Sequence, residues 1–131
     1  MRKKKKKLFK NPPSKRRFIF AFASIVASFN NTLISISDLK GNVLASSSSG
    51  RCGFRGTRKK TPGGAKYAAE NAARVAKSYG IKFIFVNLKG VGAGREAALR
   101  GLRGSGLYIM SIFDTTPVLH NGCRPPKPRR L

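Results

Sequence analysis

The sequence predicts an α/β domain built in the order β-β-β-α-β-α-β. Three observations carry this reading. Residues 18–48 hold β-patterned runs separated by the polar turns Asn30-Asn31 and Gly41-Asn42. Residues 61–79 open on Thr61-Pro62 and repeat alanine at helical spacing. Residues 81–88 and 107–113 are apolar runs on either side of a short, glycine-bounded helical stretch, as in two strands joined through a helix.

Each element has a local reason. Residues 18–29 form an apolar first strand. Their basic preamble resembles a secretory signal, but Ser24 and Ser28 interrupt the run, and no small-residue cleavage pattern follows. Leu33 to Asp38 alternates as a second strand, and Val43-Leu44-Ala45 begins a third, giving an antiparallel meander. Residues 49–61 form a glycine-rich basic loop. Thr61 suits the N-cap of the first helix and Pro62 its first turn. Ala65, Ala68, Ala69, Ala72, Ala76 and Tyr79 make one stripe for close packing on a sheet. Glu70 and Arg74 are spaced as an i,i+4 pair, and Gly80 suits the position after the last turn. Gly90, Gly92 and Gly94 lead into the second helix, about Arg95 to Arg103. Gly104 and Gly106 end it, and Leu107 to Phe113 is the fifth strand.

Charge decides the class of partner. The 131 residues carry 28 Lys or Arg against 4 Asp or Glu, a formal charge of +24. The distribution divides the chain into a basic N-terminal extension (1–17), a core (18–119) and a basic C-terminal tail (120–131). Like charges at such density repel and leave nothing apolar to bury, so both tails are expected to be disordered in the free protein. A polyanion would neutralise them, and displaced counterions would make binding strong and salt-sensitive. A membrane-active chain would instead set its bases on an amphipathic helix, whereas here they lie in Pro- and Gly-rich segments.

Several chemistries are disfavoured. Two cysteines are too few for a disulfide framework, and Cys52, Cys123 and His120 lack the fourth ligand and local pairing of structural zinc. Both are read as free buried thiols. A two-metal nuclease needs clustered carboxylates, but Asp38 and Asp114 fall at strand ends and Glu70 and Glu96 near helix starts. The turn at 90–94 matches neither a Walker A loop nor the G-x-G-x-x-G spacing. Flanked by Lys89 and Arg95, it reads either as a phosphate contact at a helix N-terminus or as a plain tight turn. No catalytic residue, metal, cofactor or small-molecule substrate is expected.

The strongest binding signal is the loop with Arg51, Phe54, Arg55, Arg58, Lys59 and Lys60. Arginine forks two donors onto phosphate, and glycine lets the backbone approach. Phe54 either stacks on a base or plugs the core. In Asn121-Gly122 the unhindered glycine nitrogen can attack the asparagine side chain, so isoaspartate is expected at Asn121.

Longer motifs then resemble a known family. From about Ala27 the chain shows Ala27-Ser28-Phe29-Asn30-Asn31-Thr32, Gly53-Phe54-Arg55-Gly56-Thr57-Arg58-Lys59 with Thr61-Pro62, and Lys89-Gly90 with Gly92 and Gly94-Arg95-Glu96. Thr116-Pro117, His120-Asn121-Gly122-Cys123-Arg124-Pro125-Pro126-Lys127 and Arg129-Arg130 close it. This pattern resembles the universal small-subunit ribosomal protein eleven family. The resemblance implies a three-layer α/β fold, a mixed five-stranded sheet of ribonuclease-H-like topology without that fold's catalytic carboxylates. It implies binding to small-subunit ribosomal RNA in the platform, beside the messenger-RNA exit path, with ribosomal proteins eighteen and seven as neighbours. The RNA role carries onto Asn30, Asn31, Arg55, Arg58, Lys59, Arg95, His120, Asn121 and Arg124. Lys127, Arg129 and Arg130 extend it along the tail. Val91 and Ala93 stand where the family commonly has prolines, and Gly63-Gly64 where it has Phe-Ala. With the lysine run, these departures suggest an organelle-encoded copy, mitochondrial by preference, with a plastid or a bacterial cytoplasm as alternatives.

Overall fold

Alternation sorts the first strand into two faces. In β1 (Phe20–Ala27), Ala21, Ala23, Ile25 and Ala27 are fully buried, while Phe20, Phe22, Ser24 and Val26 point the other way. The computed structural model describes residues 18–128. It continues through β2 (Thr32–Ser37), β3 (Val43–Ser48), a 3₁₀ turn (Gly56–Lys60), α1 (Pro62–Ser78), β4 (Phe83–Lys89), α2 (Arg95–Gly104) and β5 (Tyr108–Asp114). All seven expected elements are present, with strand ends displaced by one or two residues. The basic loop, expected to be irregular throughout, contains the 3₁₀ turn.

The strands form one sheet in the order β3-β2-β1-β4-β5. β1 runs antiparallel to β2 and β2 to β3, while β1, β4 and β5 are mutually parallel. The mixed sheet and its two helices agree with the three-layer α/β architecture that the family resemblance implies. Within residues 18–128, both helices stand over the Ala21/Ile25 face. Asn71 of α1 donates to Ser47 of β3 at 3.2 Å, and the start of α2 lies against Thr32 of β2. A Cβ on Gly101 of α2 would lie 2.8 Å from Ala69 Cβ and from the Lys66 carbonyl oxygen of α1, so the helices touch backbone to backbone there.

α1 is positioned by its cap and by small residues. Thr61 accepts a hydrogen bond from Gly64 N–H and donates its own hydroxyl to Arg58 C=O at 2.6 Å, tying the helix start to the 3₁₀ turn. Its buried stripe is Ala65, Ala68, Ala69, Ala72, Ala73 and Ala76. Tyr79 caps the far end, half-buried against Phe18. The expected Glu70–Arg74 pair does not form: Arg74 donates to Asn71 Oδ1 at 3.2 Å instead. An exposed ion pair gains little, so a nearer neutral acceptor competes with it. Glu70 also lies in mid-helix rather than near its start.

The opposite sheet face is zoned by register. Phe20 pairs with Phe83, Phe22 with Phe85, and Phe83 with Tyr108, giving an aromatic zone. Next comes a row of Ser46, Ser35, Ser24 and Asn87. Beyond it lie Leu33, Val26 and Lys89.

At the opposite end from the basic loop, the β2–β3 hairpin turns on Asp38. Burial alone would raise its carboxyl pKa. Hydrogen bonds from the Asn42 backbone and side chain and from Lys40 N–H outweigh that and leave it lowered.

The turn at 90–94 is also fixed sterically. Gly92 N–H donates to Ala27 C=O at 2.9 Å, and a Cβ on Gly92 would lie 2.3 Å from the Ser28 carbonyl oxygen. Gly92→Ala is therefore expected to destabilise the domain by at least about 1–3 kcal/mol. Gly63→Ala, with open space around it in α1, should add about 0.4–1 kcal/mol. Urea midpoints of the two variants check both signs.

Candidate nucleic-acid interface

Topology brings the basic motifs together. β1, β4 and β5 are parallel and end on one edge of the sheet; β2 starts there and β3 ends there. That edge carries Asn30-Asn31, the loop 51–60, the Lys89–Arg95 turn and the start of the C-terminal segment. Ligands of open α/β sheets gather at the carboxyl ends of such strands.

Asn30 and Asn31 sit in a turn held by Ser28. The Ser28 hydroxyl donates to Asn31 C=O at 3.0 Å and accepts from Asn31 N–H at 3.1 Å. Asn31 Oδ1 accepts from Thr32 N–H at 2.9 Å, which leaves the amide NH₂ on the side of Gly50. A Cβ on Gly50 would meet Lys59 Cδ at 3.2 Å and Asn31 Nδ2 at 3.9 Å. The structure thus places Lys59 and Asn31 on the same spot, 28 residues apart in sequence.

The arginine loop is presented rather than buried. Arg55, Arg58 and Lys60 are exposed and Lys59 is half-exposed; none of the four enters a salt bridge among the described residues. Arg51 donates to Ser46 C=O at 3.4 Å, so its head group is tethered to β3. Cys52, Gly53, Phe54, Arg55 and Arg58 line a shallow depression of about 500 Å³. Phe54 is half-buried and leans on Tyr67 of α1, with ring centroids 5.7 Å apart. It serves as the wall of that depression, between the two roles the sequence left open.

Arg95 has an internal role that the sequence reading missed. Its Nη1 donates to Gly90 C=O and its Nη2 to Asp114 Oδ2, both at 2.7 Å. Asp114 Oδ1 accepts from the Thr116 hydroxyl at 2.6 Å and from Thr116 N–H at 3.0 Å, and Thr116 Oγ1 accepts from Gly90 N–H. This ring locks the glycine turn to the end of β5. No local signal marks it, because the bonds that join Arg95 to Gly90 and Asp114, and Gly90 to Thr116, span 5 to 26 residues of sequence. Lys89 remains exposed at the same edge. Phe29, in the Ser28–Asn31 turn, is 72% exposed at the same edge.

His120, Asn121, Arg124 and Lys127 are exposed in a segment without helix or strand, and Arg129 and Arg130 lie outside the described residues, as does the extension 1–17. Asn121 adopts a left-handed φ of 55°. The thiols differ from expectation. Cys123 is exposed, as are all the described residues from Pro117 to Pro128, and Cys52 is only half-buried, 3.6 Å from Ser47 Oγ. Among the described residues no three His, Cys, Asp or Glu side chains are grouped to hold a metal ion, and no helix is long and apolar enough to cross a membrane.

The Arg95 and Thr116 hydrogen bonds hold the Asp114 carboxyl far below the ordinary carboxylate range. A carboxyl lowered in the folded state stabilises fully above its unfolded pKa, and that contribution is lost as pH falls towards the folded value. Stability is therefore expected to decline below about pH 4. Asp114→Asn should flatten that decline, as urea midpoints measured against pH would show.

Comparison with known proteins identifies the family. Residues 21–130 match the family described as Ribosomal protein S11. The chain is 58% identical over 128 residues to the small ribosomal subunit protein uS11c of Chlorella vulgaris, covering 96% of this chain and 98% of that protein. It is 55% identical to uS11 of Methylococcus capsulatus, over 89% of this chain and 91% of the relative, and 52% identical to uS11 of Dichelobacter nodosus, over 90% and 89%. With a family match across the whole folded core and relatives aligned over nearly their full length, the chain belongs to the ribosomal protein S11 family.

Proposed function

We propose that this chain is a non-catalytic structural constituent of the small ribosomal subunit that binds its ribosomal RNA through the edge formed by Asn30-Asn31, the loop 51–60 and Lys89, with the C-terminal segment. The observation that carries the reading is convergence. Four sequence-distant basic or amide-rich segments meet at one edge, and Arg55, Arg58, Lys59 and Lys60 are left outside internal salt bridges. Phosphates are the partner such an edge fits, because unpaired guanidinium groups fork onto them and gain affinity by releasing condensed ions. Arg95 acts from behind, holding the glycine turn in place.

The finer assignments follow the family resemblance. The chain sits in the platform beside the messenger-RNA exit path, next to ribosomal proteins eighteen and seven. The compartment is an organelle, with a bacterial cytoplasm as the alternative that the relatives from Methylococcus capsulatus and Dichelobacter nodosus support. The relative named uS11c, from Chlorella vulgaris, favours a plastid over the mitochondrion that the lysine bias suggested. Asn121, exposed and left-handed before Gly122, is the site of isoaspartate.

Three outcomes test this. Arg55→Ala or Arg58→Ala should weaken binding to small-subunit ribosomal RNA about tenfold while leaving the melting curve unchanged. Each lost phosphate contact should lower the log–log salt slope by about 0.7–0.9, and unchanged affinity in both variants would remove the loop from the interface. Peptide mapping of the chain taken from ribosomes should find isoaspartate at residue 121, and unmodified asparagine alone would reject the modification.

A further inference from the structure

We propose that the edge of the sheet opposite the basic loop is a second RNA contact, so that the domain bridges two separate segments of ribosomal RNA. β1, β4 and β5 begin at this edge, the β2–β3 hairpin turns there, and both helices end there. Four of these segments bring an exposed cation. Lys40 comes from the hairpin, Lys77 from the last turn of α1, Lys82 from just before β4, and Arg103 from the last turn of α2. The fold gathers them. A Cβ on Gly106 would lie 2.8 Å from Lys77 Nζ, and Gly106 N–H donates to Arg103 C=O at 3.2 Å. Lys82 C=O accepts from Tyr108 N–H at 2.9 Å, so the α2–β5 turn joins Lys77, Lys82 and Arg103. Lys82 N–H donates to Ile19 C=O at 3.0 Å, and Ile19 and Lys40 line one cavity.

The occupant follows from what this edge lacks and what it presents. None of the four cations enters a salt bridge among the described residues. The acid of this edge among those residues is Asp38, which is buried, and its oxygens already accept from Lys40 N–H and from the Asn42 backbone and side chain. The helix dipoles favour Lys77 and Arg103 at the last turns, but they give no reason for Lys40 or Lys82. Like charges gathered without a counter-charge suit a polyanion that releases its condensed ions on contact. Exposed rings stand among them: Tyr108, 66% exposed, hydrogen-bonds to Lys82 through its backbone, and Phe20 is 42% exposed. Cations for phosphates beside rings for bases are the pairing that single-stranded RNA meets. The chain also enters β1 at this edge, directly after a stretch with ten Lys or Arg in 17 residues. The seven steps of β1 from Phe20 to Ala27 put about 23 Å between the two edges. That exceeds the Debye length of about 8 Å at physiological salt, so the two contacts act independently.

The proposal rests on the ribosomal reading, and one preparation separates the two. Full chains carrying a photo-crosslinking residue in place of Lys82 or, separately, of Arg58 are produced in cells. Small subunits are isolated by sedimentation and the attached RNA is sequenced. The expected result is ribosomal RNA on both, at two stretches of nucleotides that do not overlap. Position 82 reaching protein alone or nothing, or both positions reaching the same stretch, would overturn the second contact. With purified small-subunit ribosomal RNA, the full chain carrying Lys40→Ala and Lys82→Ala should melt like the parent and bind with a log–log salt slope smaller by about 1.4–1.8. That loss should add to the loss from Arg58→Ala, and an unchanged slope would also overturn the second contact. A chain absent from the particles would overturn the ribosomal reading itself.

Discussion

The cationic edge depends on one close approach. The turn at 90–94 passes so near the end of β1 that a single added carbon on Gly92 would lie 2.3 Å from the Ser28 carbonyl oxygen. Ser28 in turn holds the Asn30-Asn31 turn by its hydroxyl. A displacement of the glycine turn would therefore move the amides, the exposed Lys89 and the start of α2 together. Arg95 and Asp114 close this arrangement from the other side, so the turn is gripped between β1 and β5. Rigid placement of this kind reduces the ordering cost that a phosphate-binding surface meets on contact.

The core achieves its compactness with small side chains. Alanines line α1, and β1 answers with Ala21, Ala23 and Ala27. Such pairing brings helix and sheet axes close, at the expense of apolar area per residue. It also explains why Gly101 appears where α2 crosses α1: with backbones already in contact, a methyl group there would meet Ala69 at 2.8 Å. Among the described residues the cationic side chains stay outside this tight interior.

Much of this was legible before any coordinates. Period-two alternation exposed the strands, and Thr61-Pro62 marked the start of α1, because both signals are local. The loop around Arg55 and Arg58 was legible for a related reason: a dense run of bases has no local means of neutralising itself. Arg95 was not legible in its actual role. Its partner Asp114 lies 19 residues away, and only the parallel pairing of β4 with β5 brings the two together. Glu70 and Arg74 failed in the opposite sense, since correct spacing on an exposed helix face does not ensure pairing when Asn71 is closer. The zoning of the open face was hidden too, because which strands adjoin is a property of topology rather than of any one run of residues.

The row of Ser46, Ser35, Ser24 and Asn87 has a consequence of its own. It crosses β3, β2, β1 and β4 as an uncharged belt, and Phe113 of β5, opposite Asn87, ends the same line. Hydroxyls and a carboxamide carry no charge for acidity or electrolyte to alter, so the ionic behaviour of the molecule is left to its loops.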